Sequence, residues 1–88
     1  MHAFPHRYKV TGRAGVDGDV ILSSPELPDI ASQPPREFDG PGDRWSPESL
    51  LTAAVADCFI LGFRAITAAS RMPFTQLDVE VEGVLDMA

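Results

Sequence analysis

A chain of 88 residues with net charge −6 is at most one small domain, and its acidity argues against nucleic acid or an anionic membrane surface as partner. Its single cysteine, Cys58, cannot pair within the chain, which excludes a disulfide framework and makes a reducing, cytoplasmic compartment the expectation. The opening stretch from Met1 to Tyr8 lacks the apolar core of a signal peptide.

Along the chain, Tyr8, Val10 and Gly12 alternate with Arg7, Lys9 and Thr11, which predicts a first strand with one apolar and one polar side. Gly15, Asp17 and Gly18 have hairpin-turn composition, and Val20 to Leu22 reads as the return strand. Both strands fall within about residues 6–23. A loop over 24–45 follows, in which Pro25, Pro28, Pro34 and Pro35 exclude regular helix. A connection of that length is usually functional or mobile, and a short strand is expected within it around Leu27 to Ile30.

Ser46 is a favoured N-cap residue, Pro47 suits the first helical position, and Glu48 meets the positive end of the helix dipole. A helix is therefore predicted over about 46–70, roughly 36 Å long. From Leu50 to Ala69 apolar residues lie almost all round it, which predicts burial on most sides. The run reaches membrane-crossing length, but Thr52, Asp57, Arg64 and Thr67 interrupt it. Charges at a bilayer centre are costly, so a buried helix of a soluble protein is expected instead. Beyond Pro73, Leu77, Val79 and Val81 alternate with Asp78, Glu80 and Glu82, the pattern of a half-buried strand over about 76–86.

The segment W-S-P-E-S-L-L-T-A-A-V-A-D-C-F, from Trp45 to Phe59, resembles the signature of the OsmC/Ohr family, the osmotically inducible and organic-hydroperoxide-resistance thiol peroxidases. The spacing of Glu48 and Cys58 matches, as does the small-residue run Ala53, Ala54, Val55, Ala56. The upstream F-D-G-P-G and the downstream L-D-V-E-V-E-G-V-L-D extend the resemblance over most of the chain. It implies an α+β OsmC-like fold, with N-terminal antiparallel β-strands packed on a long buried central helix in an intertwined homodimer. It also implies a cysteine-dependent peroxidase reducing organic hydroperoxides or hydrogen peroxide in oxidative stress defence. Such an enzyme needs no metal or other cofactor and takes a thiol or dithiol, such as a lipoyl group, as reductant. Family members continue with further strands, another helix and a resolving cysteine. The single domain over 1–88 therefore resembles the N-terminal half of a member, without that second cysteine.

Under the resemblance, Cys58 occupies the position of the thiolate that attacks the peroxide. Arg13, in T-G-R-A-G, best matches the cation that activates it, with Arg36 and Arg44 as rivals, and Glu48 matches the carboxylate that holds this cation. Helix geometry adds a constraint: ten residues put Glu48 about 15 Å along the axis from Cys58 and about 80° around it. If the two share a site, Glu48 must come from a second copy packed antiparallel.

Plainer explanations stand beside these. A lone cysteine is most often a small buried hydrophobe, and a first-turn carboxylate is common helix punctuation. The alternative function is thus a non-catalytic, dimeric OsmC-like binding or structural module with a packed core cysteine. Trp45 and Phe38 suit either an apolar approach to the thiol or hydrophobic core. Asp57 and Arg64 lie on nearly one helix face and are expected as an exposed stripe or a bridge to another element. His2 and His6 with one cysteine give no metal-ligand spacing. Gly40-Pro41-Gly42 is turn chemistry, without the lysine of a phosphate loop.

Overall fold

The computed structural model describes residues 1–87, which form two compact units divided between Pro47 and Glu48. In the N-terminal unit, β1 (Thr11–Arg13), β2 (Val20–Ser23) and β3 (Ile30–Ser32) make an antiparallel sheet in the order β1-β2-β3. Gly12 stands opposite Leu22, and Leu22 opposite Ile30, so the three share one face. The β2–β3 connection turns at Ser24-Pro25-Glu26-Leu27, where the Leu27 N–H donates to the Ser24 carbonyl at 3.2 Å. Pro25 in the second position and Glu26 at φ 66° are type II turn geometry. The strand expected around Leu27 to Ile30 accordingly begins only at Ile30, after this turn and Pro28.

The proline-rich loop contains a single 3₁₀ turn, Arg36–Phe38, closed by Asp39 in the left-handed region with its N–H donating to the Arg36 carbonyl at 3.0 Å. Gly42 has φ 81° and lies under the Arg36 guanidinium, where a Cβ would collide with it. The chain then runs back beside β3. The Gln33 N–H donates to the Trp45 carbonyl at 3.0 Å, and Ser32 and Trp45 form an isolated parallel bridge. Asp19 ties these pieces together. It accepts from Gln33 Nε2 at 2.9 Å and from Arg44 Nε at 3.4 Å.

Helix α1 (Pro47–Ala69) starts directly after the buried Ser46, as the capping pattern predicts. It ends in a Schellman motif: the Met72 N–H donates to the Thr67 carbonyl at 2.9 Å and the Arg71 N–H to the Ala68 carbonyl at 3.3 Å. Arg71 takes the left-handed conformation, φ 54°, that glycine usually supplies there. Beyond Pro73 the chain returns along the helix. Phe74 meets Phe63 edge-to-face with ring centroids 5.2 Å apart, and Gly83 approaches Thr52 so closely that a Cβ would sit 2.9 Å from its hydroxyl. Thr52, Ala53, Ala56, Ile60, Phe63 and Thr67, spaced by three or four, are the shielded face of α1. Leu77, Val79 and Val81 are half-buried and alternate with exposed Asp78, Glu80 and Glu82, as expected. The predicted strand, however, has no partner: among the described residues the backbone of 76–86 joins no ladder.

The burial predicted for α1 is not met within one chain. Leu51 is 71% exposed, Val55 53%, Phe59 58% and Ile66 67%, and no apolar side chain among the described residues is buried. The return segment covers one face of a helix that is apolar on several. By length and composition alone α1 also qualifies to cross a membrane, with a mean hydropathy of 1.7. A core helix that awaits its covering layer passes the same test.

Candidate active site

Cys58 lies halfway along α1 and its side chain is exposed. It belongs to the face opposite the return segment, in the stripe Leu51, Val55, Cys58, Phe59, Gly62 and Ile66. Nothing lies within 4 Å of where a Cβ on Gly62 would be. Within one chain the thiol is therefore not packed in a core. The thiol sits instead on an open apolar surface.

Glu48 stands in the first turn of α1 and is exposed. The backbone between it and Cys58 is continuous helix, so the predicted separation of about 15 Å along the axis applies within one chain. The structure does not bring these two side chains together in a single subunit. Glu48 makes no ion pair among the described residues. Its carbonyl accepts from Thr52 Oγ1 at 2.8 Å, which is helix-internal bonding.

Arg13 ends β1 in the N-terminal unit and is exposed, with no ion pair among the described residues. Of its rivals, Arg44 is already engaged, with Nε 3.4 Å from Asp19 Oδ2 and Nη1 3.5 Å from Asp43 Oδ2. Arg36 covers Gly42 in its own loop. Arg13 is therefore the less committed cation. Asp57 and Arg64 are exposed and unpaired with each other, the stripe that their spacing predicts. Trp45 and Phe38 are exposed as well.

The network of Asp19, Gln33 and Arg44 has no counterpart in the sequence reading. Its members are 14 and 25 residues apart, so no local pattern announces it. The hydrogen bond from Gln33, joined by the charge and hydrogen bond of Arg44, lowers the Asp19 carboxyl below its ordinary value against an opposing desolvation. Among the described residues no group of His, Cys, Asp and Glu could hold a metal ion.

A helix with this start, this small-residue run and a mid-helix thiol, in a chain that also forms a small antiparallel sheet, defines a class. The family model described as OsmC-like protein matches residues 40–88, more than half of the chain, and the chain belongs to that family. It is also 34% identical over 53 residues to the uncharacterized protein YmaD of Bacillus subtilis (strain 168), a match covering 60% of this chain and 35% of that protein. The chain thus spans about a third of the length of this curated relative. No solved structure matches it significantly.

Proposed function

We propose that the protein is a cysteine-dependent peroxidase that works as a homodimer in the cytoplasm and reduces organic hydroperoxides or hydrogen peroxide. The observation that carries this reading is the exposed Cys58 on an apolar face of α1 in a chain of the OsmC-like family. An apolar surround suits the organic part of a hydroperoxide.

The Cys58 thiolate attacks the distal peroxide oxygen. The O–O bond breaks, its electron pair leaves with the alkoxide, and a proton from solvent completes the alcohol. The sulfur, oxidised by two electrons, becomes a sulfenic acid. A thiol or dithiol reductant then attacks that sulfur, releasing water, and a second reducing equivalent restores the thiol. Arg13 is the cation that favours the thiolate and orients the peroxide, since a positive charge within about 4–6 Å favours the charged form of an acid. Glu48 of the partner subunit holds that arginine, because the Glu48 of the same helix is out of reach.

Trans complementation tests this reading in the intact protein. Cys58→Ser and Glu48→Ala homodimers are each expected to lose at least about a hundredfold in hydroperoxide turnover, the usual scale for a positioned catalytic group. In a mixed dimer one site keeps both an intact thiol and an intact carboxylate. Refolded mixtures should therefore recover activity above either parent. Undiminished turnover by Cys58→Ser rules out the nucleophile. Mixed dimers that form but stay as inactive as their parents rule out the shared site.

A further inference from the structure

Gly62 is the single glycine of α1, and nothing in its own chain explains it. Only proline disfavours a helix interior more than glycine does. Glycine is usually retained for a left-handed backbone, a tight turn or the close approach of another segment. Elsewhere in the chain such causes are visible. Gly42 has φ 81° and lies under the Arg36 guanidinium, and a Cβ on Gly83 would sit 2.9 Å from the Thr52 hydroxyl. Gly62 has ordinary helical backbone, and nothing among the described residues comes within 4 Å of where its Cβ would be.

Its place relative to the thiol is set by helix geometry. Gly62 lies four residues beyond Cys58, so the two share a face. A helical side chain leans over the turn N-terminal to its own Cα, and for position 62 that turn carries Cys58 and Phe59. A side chain there would lie against the thiol; the glycine leaves that side of it open. Phe59, 58% exposed, and Ile66, 67% exposed, border the gap without filling it.

We propose that Gly62 is the specificity-determining residue of the Cys58 site: its missing side chain leaves the apolar notch that receives the organic group of the hydroperoxide. Displacement at the peroxide needs the sulfur, the distal oxygen and the leaving oxygen in line. The group on the leaving oxygen therefore projects away from the sulfur and needs room beside the thiol. Hydrogen peroxide carries no such group and makes no use of the notch. A second copy packed into the notch would instead seal the thiol from peroxide, so access to Cys58 favours the substrate as occupant. The inference rests on the proposed function and adds its selectivity.

Filling the notch in the intact protein tests it. The variants are Gly62→Ala and Gly62→Leu, both better helix formers than glycine, with dithiothreitol as reductant. The ratio of kcat/KM for cumene hydroperoxide to that for hydrogen peroxide is expected to fall at least about tenfold in Gly62→Leu, the scale on which apolar pockets discriminate by size. Gly62→Ala should move the ratio the same way by less, which keeps the test open if leucine disturbs folding. Alkylation of Cys58 gives a readout without turnover: Gly62→Leu should slow N-phenylmaleimide more than iodoacetamide. Ratios that stay at the wild-type value in both variants overturn the notch and leave the peroxidase standing. Unchanged ratios with weaker dimerisation in sedimentation equilibrium show that the notch seats a second copy, which also overturns the proposal. A wild type that consumes neither peroxide, although its thiol alkylates readily, overturns the peroxidase reading and with it the substrate assigned to the notch.

Discussion

Arg71 closes α1 in a conformation that the sequence does not advertise. A glycine or asparagine is the usual residue at that place, yet the two Schellman hydrogen bonds form around an arginine at φ 54°. A Cβ in the left-handed region costs about 1–2 kcal/mol, and glycine returns part of that gain as unfolded-state entropy. Arg71→Gly is therefore expected to stabilise the chain by about 0.5–1 kcal/mol, seen as a rise of about 2–8 °C in the thermal midpoint. A lower midpoint would show that the arginine side chain contributes more than its backbone strain removes. Cys58 was legible from its place in the family pattern, but its exposure on an apolar stripe was not. Exposure depends on which helix face the return segment covers, and Phe63, Phe74 and Gly83 decide that from up to 20 residues apart.

Between elements, Asp19 connects the start of β2 to the segment that leads into α1. Its carboxyl is lowered from an ordinary value of 3.8 by the Gln33 hydrogen bond and the Arg44 charge. A depressed carboxyl contributes stability that is present above its unfolded value and is lost as pH falls through its folded one. Wild type should therefore be more stable than Asp19→Asn at neutral pH, and the difference should vanish as pH falls below 3.8. Circular dichroism melts across that range check it. A difference that persists in acid would assign the effect to shape rather than charge. The pair is solvent-exposed, so the neutral-pH difference should also shrink at high salt.

For the protein as a whole, the decisive observation is that the apolar faces of α1 lie open. No apolar side chain among the described residues is buried, so one chain by itself has little to offset its conformational entropy. Folding coupled to association makes the melting temperature depend on concentration. The thermal midpoint should rise steadily as protein concentration is raised a hundredfold, in calorimetry at constant buffer. A midpoint independent of concentration would mean that the apolar faces of α1 are covered without a second copy.

What local chemistry specifies was readable from the chain. The capping run Ser46-Pro47-Glu48 placed the start of α1, and the glycine and aspartate turn placed the first hairpin. The period-2 alternation of Leu77 to Glu82 set which of its sides is shielded. These are short-range effects, carried by steric and hydrogen-bonding preferences within a few residues. The apolar circumference of α1 showed that the helix needs cover but not what supplies it, and in one chain that cover is missing from most of its faces. Which face of α1 is shielded, which arginine is engaged by Asp19 and which strand edges stay open were settled only by the tertiary structure. Each depends on groups that meet across long stretches of chain, where no sequence period links them.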